Sequence, residues 1–276
     1  MATKATSVKK SVKKAPAKVT AATKTVTRKV SKSTSATKNT FVGHVQQSVR
    51  SLALWRSLGA EFVGTFLLAG VVIAGQGQPI FVLFALAGVI LLVGAVSGAH
   101  VNPAVTIGAL VTKRIGWLRA LGYVIAQVLG AAFAFVVLSA FIGGAAVSEE
   151  AAAFGQAAPA LFSAVDVTTL AGKEWYIFFA ELVGTLILAF AIANVLRETQ
   201  DRAAAALTGG LGIFIALMVA VSAASYVGAT AAINPAIAVT LQAYSWSTIW
   251  PFAIYAVAPV IGGVAGFLLH DLLRNK

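Results

Sequence analysis

The sequence predicts an all-α membrane protein with six transmembrane helices and two re-entrant half-helices in a 3+3 inverted repeat. Three observations predict it. Hydrophobic residues fill 59% of the 276 positions and charged residues only 11%, too few polar side chains to cover a soluble domain of this size. Six apolar stretches are long enough to cross the roughly 30 Å of hydrocarbon in a bilayer. The tripeptide Asn-Pro-Ala occurs twice, at Asn102-Pro103-Ala104 and Asn234-Pro235-Ala236, each time where a membrane-scale apolar pattern is interrupted.

Residues 1–40 come first. They hold eleven Lys/Arg and no acid, so the net charge of +12 belongs to this tail and the remainder is nearly neutral. A chain of Lys, Thr, Ala and Ser cannot bury enough apolar surface to offset ordering entropy, which predicts a disordered basic tail. Three readings of it stand: a solvated arm held by anionic lipid, a nucleic-acid-binding arm, or residues upstream of the true start. No apolar run near the start has the length of a secretory leader. A juxtamembrane segment, 41–56, leads into the membrane-spanning region, 57–273.

The spans are expected at 57–75, 79–97, 117–142, 174–196, 207–225 and 250–273. Between the second and third lies 102–113, and between the fifth and sixth 234–243; both are too short to cross. Asparagine is a preferred N-cap and proline a preferred first helical residue, so each triplet reads as the start of a short helix. Ten residues rise about 15 Å, half the hydrocarbon core. Two such pieces meeting tip to tip make one pseudo-span.

Charge placement agrees. With the amino terminus inside, the inner segments hold twenty of the twenty-one Lys/Arg; only Lys173 falls outside, beside Glu149, Glu150, Asp166 and Glu174. That bias follows the positive-inside rule and places both termini in the cytoplasm, at a plasma or inner membrane. The chain also repeats itself: Ala60-Glu61-Phe62-Val63-Gly64-Thr65 matches Ala180-Glu181-Leu182-Val183-Gly184-Thr185. Repeat one covers about 57–142 and repeat two about 174–273. Three spans per repeat force the second to be inverted, which puts a site near the midplane between them.

Glu61 and Glu181 are ionisable groups inside apolar spans, costly unless partnered. Their symmetric placement favours a structural role as acceptors for unpaired loop N–H groups over a proton relay. His100, two residues before the first Asn, reads as a hydrogen-bonding element of the loop, with a protonation gate as the alternative. His44 and His270 carry no site signal. Small residues such as Gly262 and Gly266 suit close helix approach, and Trp117, Trp175, Trp246 and Trp250 suit the membrane interfaces. The sequence has no cysteine. It shows no metal-ligand spacing, no cofactor motif and no nucleophile–base pair, so no enzyme is expected.

Taken together, Ser97-Gly98-Ala99-His100-Val101-Asn102-Pro103-Ala104-Val105-Thr106, the Ala-Glu-Phe-Val-Gly-Thr repeat, Ile233-Asn234-Pro235-Ala236 and Tyr123-Val124-Ile125-Ala126-Gln127 resemble the aquaporin, or major intrinsic protein, family over residues 57–273. The resemblance implies passive conduction through each subunit of a homotetramer. It implies that the Asn102 and Asn234 amides donate to the permeant, that Pro103 and Pro235 set the helix starts, and that Ala104 and Ala236 pack the tips together. One departure stands out. Most members carry arginine after the second motif, forming an outer filter, whereas this chain has Ile237. The other filter positions map to Val82, Ala231 and Val219, the last drawn from Val219–Ser222. Ala238 replaces an aspartate common in glycerol-conducting members. The expectation is an aliphatic filter and a channel for water and small neutral solutes, glycerol-like or ammonia-like. The competing readings are a secondary transporter with inverted repeats, and a membrane anchor for a nucleic-acid-binding tail.

Overall fold

A computed structural model describes residues 41–142, 149–153 and 160–274. The expectation for residues 1–40 lies outside them. All regular elements among the described residues are helical. α1 (Phe41–Val49) belongs to a separate unit ending at Arg50, and the body begins at Ser51.

The body opens with α2 (Leu52–Ala74) and α3 (Pro79–Ser97). The half-helix α4 (Pro103–Val111) follows, then α5 (Trp117–Ile142) and the short α6 (Glu149–Ala153). The second repeat comprises α7 (Glu174–Val195), α8 (Arg202–Tyr226), the half-helix α9 (Pro235–Thr240) and α10 (Trp250–Arg274). α2, α3, α5, α7, α8 and α10 are long and apolar enough to cross a membrane.

Two spans start earlier than their hydropathy suggests. α2 begins at Leu52 rather than near 57, so Arg56 lies within the helix. Its long apolar stem lets the guanidinium reach polar surroundings from inside the first turns. α8 begins at Arg202 rather than 207, because the Asp201 carboxylate accepts from the Ala204 N–H at 2.9 Å and caps the helix there.

Packing repeats with the sequence. α2 lies against α3 and α5, as α7 lies against α8 and α10; α3 and α8 pack together where the repeats meet. Each half-helix packs on the third span of the other repeat, α4 on α10 and α9 on α5. Two glycines make the third-span contacts possible. A Cβ on Gly130 would stand on the Phe62 carbonyl, and one on Gly262 on the Leu182 carbonyl. These are equivalent positions in the two repeats.

α10 contains a π turn at Ala253–Val257, and proline explains it locally. Pro259 has no N–H to give the carbonyl of Tyr255 four residues earlier. The Tyr244 hydroxyl donates to that carbonyl at 3.0 Å instead, while the Tyr255 hydroxyl donates to the Thr230 carbonyl at 2.9 Å. The displaced hydrogen bond thus anchors the loop that follows α9.

Candidate functional site

The site is built by the two half-helix starts. In each, the Asn caps its own helix: Asn102 Oδ1 accepts from the Ala104 N–H at 2.8 Å, and Asn234 Oδ1 from the Ala236 N–H at 3.0 Å. Pro103 and Pro235 follow at the first helical position, where a missing N–H costs nothing. The amides then cross over. Asn102 Nδ2 donates to the Ile233 carbonyl at 3.0 Å, and Asn234 Nδ2 donates to the Val101 carbonyl at 2.9 Å. Each repeat therefore holds the other's loop. An amide has two N–H groups, and this tie uses one of them.

The carbonyls that accept these bonds belong to β-branched residues in the left-handed region, Val101 at φ 42° and Ile233 at φ 46°. Such backbone persists only where its surroundings over-determine it. Glu61 and Glu181 supply that constraint. Glu61 Oε1 accepts from the His100 N–H at 2.9 Å and Oε2 from the Val101 N–H at 2.7 Å. The Glu181 carboxylate accepts from the Ala232 and Ile233 N–H groups. Both acids are fully buried. Their oxygens meet loop donors that the irregular backbone leaves without a helical partner.

The first repeat adds a network that the sequence did not single out. Gln127 Nε2 donates to Glu61 Oε2 at 2.7 Å and to Thr106 Oγ1 at 2.9 Å. Thr106 Oγ1 also lies 3.2 Å from His100 Nδ1. The His100 ring is 3% exposed and stands edge-on to Tyr123 at 5.2 Å. His100 is thus tied into the loop scaffold on its Nδ1 side while its ring lines the central neck. Gln127 was legible only as part of a span motif, because nothing in an apolar helix says which face meets a loop.

Cavities lie on both sides of the Asn pair. One of them, mostly apolar and about 240 Å³, runs from Gln76–Pro79 and Phe162 to Asn234. Val82, Ala231 and Ile237 line it, and among the described residues no charged side chain does. Val219 does not. It is 41% exposed, on the outer face beside Trp175 and Phe179. The α8 residues turned to the cavity are Ile213, Leu217, Val221 and Ser225. Val221 thus replaces Val219 within the segment from which it was drawn.

Below this cavity a neck of about 10 Å³ is lined by His100, Asn102, Asn234 and the aliphatic chains around them. That is about the space one water needs. Leu68, Ile213 and Asn234 border both spaces. A third cavity, about 330 Å³, opens at the other end among Ile90, Gly94, Gly98, Leu196, Glu198 and Arg202. The neck and this cavity are lined by successive turns of α3 and α7, at Leu86 and Ile90 and at Ile192 and Val195.

The chain is similar to known proteins over most of its length. The family profile described as "Major intrinsic protein" matches residues 48–270. Aquaporin AqpM of Methanothermobacter marburgensis is 32% identical over 202 residues, 70% of this chain and 74% of its own length. Aquaporin NIP3-1 of Oryza sativa subsp. japonica is 30% identical over 242 residues, covering 82% of this chain and 70% of its own. The lens fiber major intrinsic protein of Mus musculus is 31% identical over 238 residues, covering 82% and 83%. In fold, the aquaglyceroporin from Plasmodium falciparum aligns with a TM-score of 0.57 at 23% identity, covering 79% of this chain and 96% of that one.

Proposed function

The chain belongs to the major intrinsic protein family, whose members are passive channels and not enzymes, and from that premise we propose that it conducts water and small neutral solutes, glycerol-like or ammonia-like, past the paired Asn102 and Asn234 amides. The observation that carries this reading is the reciprocal amide–carbonyl tie at the narrowest point between two cavities. One N–H of each amide is spent on the tie; the second donates to a passing oxygen. The positive ends of α4 and α9 face the same point and disfavour cations and hydronium. Pro103 and Pro235 fix the helix starts, and Ala104 and Ala236 pack the tips.

Val82, Val221, Ala231 and Ile237 form an aliphatic outer constriction on this reading. Without arginine it offers few donors to replace hydration, yet it leaves more room, so discrimination against glycerol is weak. Glu61 and Glu181 act as scaffold. A coupled transporter would need an acid able to exchange its ion or proton, and both carboxylates are taken by backbone donors. The protein works as a homotetramer in a plasma or inner membrane, with both termini cytoplasmic and the basic tail near anionic lipid.

Stopped-flow swelling of proteoliposomes tests the reading, with water, glycerol and ammonia compared. Protein-containing vesicles should respond faster than empty ones to at least one of the three, linearly in the gradient. Equal rates with and without protein for all three would remove the claim.

A further inference from the structure

Among the described residues, Arg202 is the one Lys or Arg side chain that borders any of the three cavities described above. It stands at the first position of α8, directly after the N-cap Asp201. Its Nη2 reaches across the cavity to donate to the Ile90 carbonyl of α3 at 2.9 Å. The guanidinium end lies over Gly94: a Cβ there would come 2.6 Å from Nη2. So glycine at 94 is what lets the arginine lie flat against α3.

The nearby carboxylates are engaged elsewhere. Glu198 Oε1 accepts from the Gln200 and Asp201 N–H groups at 2.8 and 2.9 Å, and Asp201 Oδ1 from the Ala204 N–H. The backbone donors of Asp201 and Gln200 hold the Glu198 carboxyl below its usual range. Among the described residues Asp271 pairs with Arg114 and lies against His270, and no ion pair includes Arg202. Its charge is therefore presented to the cavity and to whatever passes through it.

We propose that Arg202 is the specificity-determining cation of this conduit, placed at the mouth opposite the aliphatic constriction at Ile237. The proposal rests on the channel reading above and deepens it. The planar fork offers several donors in fixed geometry to the acceptor oxygens of a neutral solute, and its bulk narrows the opening. A polyol, with several acceptor oxygens, is held by that fork longer than water is. Selection in this chain is then split between an apolar constriction at one end and a charged one at the other.

The test uses the full chain in proteoliposomes, with glycerol and water rates read side by side. Arg202→Ala should raise the glycerol-to-water ratio by roughly two- to ten-fold, the range that one net hydrogen bond commands. Since the sequence contains no cysteine, Arg202→Cys introduces the only thiol. Aminoethyl methanethiosulfonate then restores a cationic arm through a mixed disulfide and should return the ratio toward wild type. Gly94→Ala keeps the arginine but lifts it off α3 into the opening. It should lower glycerol flux in the wild-type background and do nothing in Arg202→Ala. If wild type conducts while the alanine and cysteine variants, with or without reagent, all match it, the proposal is overturned. If those variants do not fold, unchanged glycerol flux in Gly94→Ala overturns it. Wild-type vesicles no faster than empty ones would instead sink the channel reading itself.

Discussion

At the residue scale the molecule depends on a few polar atoms in apolar surroundings. The Glu181 carboxylate accepts two loop N–H groups, and a carboxamide can accept only one of them. Glu181→Gln leaves one buried donor unmet and should destabilise the protein by about 1–3 kcal/mol, read as an earlier unfolding transition in detergent. Glu61→Gln should cost at least as much, because Gln127 adds a third donor there. Ile237 is the second residue-scale lever. Ile237→Arg places donors and bulk in the apolar cavity, and glycerol flux should fall while water flux persists. Unchanged glycerol flux in a swelling assay would refute the filter assignment. The misassigned partner of Ile237 has a physical cause. α8 is apolar on nearly every face, so no periodicity distinguishes the side that meets the cavity from the side that meets lipid. Val219 and Val221 look alike in such a sequence; only packing against α3 and α7 separates them. Arg202 was legible only as a charge obeying the positive-inside rule, since its reach to α3 is a tertiary fact.

At the element scale, most of the architecture was legible because a bilayer enforces it. Spans must be long and apolar, and irregular backbone must find partners. Both half-helices announced themselves through Asn caps followed by proline, which is local chemistry. Their ends were less visible. α4 and α9 close on Lys113 and Gln242, both in the left-handed conformation with φ 60° and 57°, where glycine would have given the signal. α9 consequently stops at Thr240, short of the 243 expected. The glycine contacts between first and third spans carry their own expectation. Gly130→Ala and Gly262→Ala each push a Cβ onto a carbonyl of the neighbouring helix. Each should cost about 1–3 kcal/mol, and the double variant should lose close to the sum, because the two contacts lie in different repeats. A thermal shift series in detergent would read both values.

At the scale of the whole molecule, the body from Ser51 onward is a unit apart from what precedes it. Removing residues 1–40 should therefore leave glycerol and water rates per folded protein unchanged, while any affinity of the protein for anionic vesicles or nucleic acid falls. A flux loss on truncation, at equal folded content, would mean that the tail takes part in conduction. The two-fold arrangement has one more consequence, for biosynthesis. Asn102 finds its carbonyl partner 131 residues downstream, and the Val101 carbonyl waits for the Asn234 amide, 133 residues downstream. A nascent chain that has inserted only its first three helices holds an open amide and an open carbonyl at mid-bilayer. The waist closes only when the late-arriving half delivers both, so a ribosome-stalled fragment has no finished passage through which the cell could leak.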